Sequence, residues 1–507
     1  MRKNKFIKIT IFAIIIAMIV LNAWLCDDAY ISFRVIKNFV NGFGLRWNTF
    51  ERVQVFTNPL MVIFLIPFYF LTHEIYYTSI FFNIIASSLA IYFLVFKISK
   101  NDWISIILMI LLILSKSFMS FTTSGLENCL TFLLLSIFYY FFLKKDIYNK
   151  KDILLLSFIS SLILLNRMDS ILLIIPSLIY MFIKREKNIN FINFCIYFTI
   201  GMLPFIIWEI FSLIYYGFLF PNTYYAKLNT GIKKIDYIIN GIIYLITIFI
   251  VDPATILIIA FGTLLIHIFA SKKQLCLIIG ILLSIIYIVY VGGDFMLGRF
   301  LTPALFVTTI GISQLKHDIL KTKHVKFIIS AALLFYIASN INFIYRKIDV
   351  TAYQLNGVAD ERAYYYNLTS LFKVGSEKKI NNLNYQGDLA YNNKVYLVGN
   401  IGFKGYFAKE SDIIIDYFAL SDPLLARIPI KDAKLIRIGH IERNIPAGYI
   451  NSVFENKNLI FDKNLKEYYN AIKVITQDEI FSKERIKTII KFNLGKYNYL
   501  IDEYLKK

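Results

Sequence analysis

Apolar runs of about 20 residues recur through the first two thirds of the chain, from 6–25 to 326–344. Each is long enough to cross a hydrocarbon core of about 30 Å as a helix. A soluble core has no place for so much apolar sequence. Here 57% of the 507 residues are hydrophobic and 17% charged, against roughly 45–50% and about 25% in soluble domains. A soluble cytosolic enzyme and a disordered chain are therefore excluded on composition. The class predicted is a polytopic membrane protein.

The basic start (Arg2, Lys3, Lys5, Lys8) is followed by an apolar stretch and then Trp24-Leu25-Cys26-Asp27-Asp28, with no small-residue cleavage site. This reads as an uncleaved first span with a cytoplasmic N-terminus. Further spans are predicted near 76–96, 103–119, 126–143, 152–166, 170–184, 191–214, 253–270, 274–291, 301–315 and 326–344, eleven in all. The short loops then expected in the cytoplasm carry the lysines: Lys97 and Lys100; Lys144, Lys145, Lys150 and Lys151; Lys184 and Lys187 with Arg185; Lys272 and Lys273; Lys316, Lys321, Lys323 and Lys326. Residues 57–71 and 235–250 are left out of the count. Either one, taken as a span, puts the lysine loops on the wrong side; both are assigned to the exported face as interfacial or re-entrant segments.

After 345 the sequence turns rich in Lys, Asn, Asp and Tyr, with short apolar runs at Val395–Val398 and Ile413–Ile415. Residues 1–345 are thus predicted as an all-α transmembrane domain, and 346–507 as an extracytoplasmic α/β domain large enough for its own core. The net charge of +20 comes without a basic, aromatic-interleaved soluble module, so no nucleic-acid partner is expected. Cys26, Cys129, Cys195 and Cys276 are scattered, which implies neither a disulfide framework nor a zinc site.

Five polar segments fall on the exported face under this topology. In the first, residues 27–59, Ala29, Phe33, Ile36, Val40 and Phe43 recur at helical spacing, and Asp27, Tyr30, Arg34, Asn38 and Asn41 take the opposite side. A helix lying on the membrane turns that polar stripe toward a cavity above the bundle. Asp27 and Asp28 stand at the exit of the first span, where partial desolvation suits a general base; the plainer alternative is a helix cap. Arg34, Arg46, Glu51 and Arg52 have a surface-charge alternative. The second segment, TSGLEN (123–128), brings Glu127, which with Ser124 also reads as a capping box. The third holds Arg167 and Asp169, an ionisable pair at a turn between short helices, or simply a local ion pair. The fourth, YYGFLFPNTYYAKL (215–228), offers Asn222, Tyr225 and Lys227, or only an aromatic belt. The fifth, GGDFMLGRFLTP (292–303), sets Asp294 and Arg299 in a glycine-rich turn where an arginine can grip phosphate bidentately.

With these motifs the chain resembles the GT-C class of membrane glycosyltransferases, which use polyprenyl-phosphate-linked sugars. More narrowly it is similar to a group holding the AftB-type terminal arabinofuranosyltransferases and the ZomB-like flagellar motor control proteins. The strings GNIGFKGYF (399–407), DYFALSDPLLARIP (416–429) and GHIERNIPAGY (439–449) share the likeness, which spans nearly the whole chain. The group more often has His-Pro where this chain has Asn58-Pro59. The resemblance implies a general base at Asp27 or Asp28. It also implies that Arg299, with Arg34 or Arg167, stabilises the departing polyprenyl phosphate, and that the C-terminal domain orients the acceptor.

The expected function is transfer of a sugar, a pentofuranose among the candidates, from a polyprenyl-phosphate donor to an extracytoplasmic glycan or glycoconjugate in a bacterial inner membrane. Tyr30, Arg34, Asn58, Glu127, Arg167, Asp169, Asn222, Tyr225, Lys227, Asp294 and Arg299 are its candidate binding residues. No cofactor is expected beyond the lipid-linked sugar: Asp27 with Asp28 lacks an assignable third metal ligand. The alternatives are a non-catalytic membrane protein supporting flagellar motility, with motility-related partners, and a transporter or flippase.

Overall fold

The computed structural model describes residues 2–269, 271–315, 354–372, 390–391, 394–430 and 437–506. The chain is mostly helical. It forms two compact units: Met1–Cys26 with Tyr76–Phe205 and Lys234–Ser376, and Asp27–Ile75 with Ile206–Lys233 and Glu377–Lys507. The loop that follows the first apolar run therefore packs with the C-terminal residues. The predicted span at 326–344 lies outside the described residues.

Among the described residues of the first unit, four helices are long and apolar enough to cross a membrane: Asn4–Leu21, Tyr76–Ile98, Lys234–Val251 and Lys272–Tyr290. The pair Phe191–Gly201 and Leu203–Tyr215, whose second helix runs on into the other unit, makes a fifth if counted as one. Two sequence expectations change here. The stretch at 235–250, left out of the count, forms the 18-residue helix Lys234–Val251, which qualifies by length and composition. The stretch at 103–119 is not one helix. It breaks at Ser115, whose hydroxyl caps the short helix Lys116–Phe121 by accepting from the Phe118 N–H at 3.0 Å. Asn128–Lys144, Lys150–Asn166 and Ile171–Ile183 are 13 to 17 residues long.

Small residues let these helices approach closely, as in membrane bundles. A Cβ on Gly280 would stand 2.3 Å from the Leu173 carbonyl oxygen, and one on Gly241 would stand 2.4 Å from that of Val289.

The lysine loops of this unit adjoin one another. Lys8 pairs with Asp102 at 3.0 Å and Lys273 with Asp146 at 2.8 Å; the Tyr148 N–H donates to the Lys184 carbonyl and Gln314 to that of Ile98. The polar turns adjoin one another at the other end of helix Asn128–Lys144. Trp24 donates to the Ser120 carbonyl at 2.7 Å, Cys26 N–H to that of Ser124, and Asn166 to that of Glu127. Basic loops and charged motifs thus segregate within one unit.

In the second unit Ala390–Tyr391 pairs antiparallel with Val395–Val398, which runs parallel to Ile413–Asp416 with Val395 opposite Ile413. The helix Gly402–Phe407 connects the parallel strands. Their buried faces join Leu424, Leu425, Tyr449, Leu465, Tyr469 and Ile472 in one core. The exposed apolar residues Ile63, Phe64, Phe68 and Leu71 lie on Pro59–Thr72, a helix of 14 residues and so about 21 Å.

Candidate functional sites

Three turns of the helical unit, far apart in sequence, meet in one buried charge network. Glu127 precedes the helix Asn128–Lys144 but its side chain caps nothing there. It accepts instead from Arg167 Nη1 at 3.1 Å and Arg299 Nη2 at 2.9 Å, with its own side chain 4% exposed. The capping-box alternative is therefore not how this carboxylate is used. Arg167 also forks onto Asp169, its Nε standing 2.8 and 3.1 Å from the two oxygens, and Asp294 approaches Arg299 at 3.8 Å. Both guanidinium groups lie over the Phe300 ring, at 4.4 and 5.9 Å. Asn166 ties Thr131 to the Glu127 backbone, and Asn128 ties Thr302 to that of Arg299. The sequence-predicted residues Glu127, Arg167, Asp169, Asp294 and Arg299 are thus brought together.

The same unit holds an apolar groove of about 650 Å³, lined by Leu245, Phe249, Ile259, Leu264, Ile281 and Leu301 among others. Leu301 ends the short helix that Arg299 begins. No group of three or more His, Cys, Asp or Glu side chains placed to hold a metal ion occurs among the described residues.

In the second unit the helix Asp27–Val40 does not expose its polar stripe. Asp27 is 8% exposed, and its two carboxylate oxygens accept from the Phe403 N–H at 2.7 Å and the Gly402 N–H at 3.1 Å. Burial, with the Asp28 charge adding to it, pushes the Asp27 carboxyl up to about 7 even against those two N–H donors. Asp28, one residue on, is only half-buried. A Cβ on Gly402 would stand 1.9 Å from the Asp27 carbonyl oxygen and 2.6 Å from its Cγ. Gly402→Ala is therefore expected to cost on the order of 3 kcal/mol, as backbone must move in a packed site, and to lower the thermal midpoint of the purified chain.

Several predicted binding residues are buried and hydrogen-bonded or packed within the unit. Arg34, 2% exposed, donates to the carbonyls of Trp47, Gly405 and Asp412 and stacks on the Trp47 ring. Tyr30, 1% exposed, sits among Phe33, Phe403, Tyr406 and Phe407. Asn222 donates to the carbonyls of Ala419, Leu420 and Asp422, each at 3.1 Å. Asn58 is buried and accepts from the Ser32 hydroxyl at 3.4 Å. Glu51 and Arg52 are buried as well, which removes their surface-charge alternative. Lys227 is half-buried and Tyr225 lines a pocket.

Four carboxyls of this unit are buried and raised: Asp27 and Asp416 to about 7, Glu51 to about 8 and Asp422 to about 6. Burial is the first cause in each. Such groups bind protons more tightly folded than unfolded, so the stability they give is complete below the unfolded values and lost as pH rises through the folded ones. Each removes about 1.4 kcal/mol per pH unit within that window. His440 works oppositely: burial, then Arg437 and Lys227, pull it down to about 3, so it costs stability only below its unfolded value of 6.5. Four carboxyls outweigh the one histidine, so stability is expected to fall from about pH 4.5 to about pH 8, read as a declining thermal midpoint.

No known protein family matches the chain, and no curated protein matches it.

Proposed function

We propose that the chain is an integral-membrane glycosyltransferase that moves a sugar from a polyprenyl phosphate to an extracytoplasmic glycan or surface acceptor. In this reading it crosses a bacterial inner membrane several times from a cytoplasmic N-terminus, and the residues after 345 fold as an extracytoplasmic α/β domain. The observation that carries it is the apolar groove that Leu301 helps to line, two residues along the chain from Arg299, which shares Glu127 with Arg167. A hydrocarbon tail suits the first and a phosphate the second. Ionisable groups at the ends of apolar helices are costly and mark such sites.

Asp28, the more accessible of the acid pair, is the general base. It takes the proton of the acceptor hydroxyl while the oxygen bonds to the anomeric carbon. The bond from that carbon to the phosphate oxygen breaks, and polyprenyl phosphate departs with the electron pair. In the helical unit, Arg299 and Arg167, held ready by Glu127, are the groups that bind the donor's phosphate. Asp27 is a positioning residue that fixes the helix start against Gly402 and Phe403.

Comparing a deletion strain, carrying wild type or Asp28→Asn, with its parent tests the reading. Wild type is expected to restore a surface glycan and clear an accumulated lipid-linked sugar; Asp28→Asn is expected to do neither. Unchanged glycans, with motility lost on deletion and restored by both forms, would favour the non-catalytic alternative instead.

A further inference from the structure

The second unit holds a pocket of about 290 Å³ lined by Tyr224, Tyr225, Tyr468, Phe492 and Asn498, with Arg427 in its wall. Arg427 is 4% exposed, and its guanidinium is sandwiched between the rings of Phe218 at 3.9 Å and Tyr225 at 4.2 Å. Nη1 donates to Asn222 Oδ1 at 2.9 Å and to the Pro423 carbonyl at 2.7 Å. Among the described residues Nε and Nη2 have no acceptor. Asp422, the carboxylate nearest in charge, accepts instead from the Leu424 and Leu425 N–H groups and the Tyr449 hydroxyl.

A buried donor without an acceptor costs about 1–3 kcal/mol, more when charged. Two on one guanidinium are a large liability, and they form the edge that matches the paired oxygens of a carboxylate or phosphate. The pocket that Arg427 lines offers aromatic faces and side-chain amides, the lining that orients a small polar ring. At its mouth Tyr224, 42% exposed, stacks on Phe220 with ring centres 4.3 Å apart.

We infer that this pocket binds an acidic saccharide unit, a uronic acid or sugar phosphate, whose oxyanion bridges Nε and Nη2 of Arg427 while its ring lies against the aromatic wall. As the site that recognises the acceptor it rests on the transferase reading. Binding is scored without transfer, so the two fail separately. A chain that transfers sugar but binds no acidic saccharide here overturns only the pocket; one that binds but transfers nothing overturns only the transferase.

The test is calorimetry on the full chain in nanodiscs with glucuronate, glucose 1-phosphate, glucose, inorganic phosphate and a short-chain phosphatidate. Glucuronate and glucose 1-phosphate are expected to bind at least about 10-fold tighter than glucose, about 1.4 kcal/mol, and tighter than inorganic phosphate. Arg427→Gln is expected to abolish the preference for the acidic sugars. Because that side chain also holds Asn222, Asn498→Trp serves beside it: it fills the pocket from an exposed helix start and is expected to block both ligands. Equal binding of glucose and glucuronate, unchanged binding by Asn498→Trp, inorganic phosphate matching glucose 1-phosphate, or binding of the phosphatidate alone would each overturn the assignment.

Discussion

Asp28→Asn is expected to leave the purified chain folded and to lower sugar transfer by about 10²–10⁴-fold, the usual contribution of a general base. An amide keeps the size of the side chain but takes no proton at neutral pH. Asp27→Asn is expected to behave differently. Both Asp27 oxygens accept backbone N–H groups, and an asparagine turns one acceptor into a donor facing a donor. The cost falls on stability, about 1–3 kcal/mol for the unsatisfied N–H, with transfer reduced only as far as the helix start shifts. The distinguishing measurement is transfer rate alongside thermal midpoint for both variants. A slow, stable Asp27→Asn with a fast Asp28→Asn would exchange the two roles.

Glu127→Ala is expected to destabilise the chain by about 3–5 kcal/mol, because it leaves Arg167 and Arg299 buried without the carboxylate they share. Asp169 still holds Arg167 through its Nε, while Asp294 stands 3.8 Å from Arg299, so Arg299 loses the closer of its partners. Glu127→Gln, which keeps an acceptor and loses the charge, is expected to cost less. Thermal unfolding in detergent reads both. An alanine variant as stable as wild type would mean that the arginines do not depend on Glu127 as their geometry implies.

The apolar runs made the helical unit legible, because chain in hydrocarbon must satisfy its own backbone. The lysine loops foretold which turns adjoin: the segments bearing Glu127, Arg167 and Arg299 were grouped from charge placement and meet in hydrogen bonds. The helix Asp27–Val40 was legible as amphipathic, but not what covers its polar side. Arg34 reaches the carbonyls of Gly405 and Asp412, more than 370 positions away. Any residue supplies a carbonyl, so such a partner leaves no trace in composition or spacing. For the same reason the burial of Tyr30 and Arg34 left no mark in the helical spacing. Arg427 was missed altogether: it is a lone arginine in DYFALSDPLLARIP, and only its unfilled edge distinguishes it. The break at Ser115 hid because a serine within an apolar run is an ordinary membrane-helix residue until its hydroxyl caps a new helix.

The most direct test of the account is transfer by the purified chain in proteoliposomes supplied with a labelled polyprenyl-phosphate sugar and a cell-envelope glycan acceptor. One polyprenyl phosphate is expected to be released for each glycosidic bond formed, with both products lost in Asp28→Asn. A wild-type chain that consumes no polyprenyl-phosphate sugar, or an Asp28→Asn chain that turns over like wild type, would contradict it.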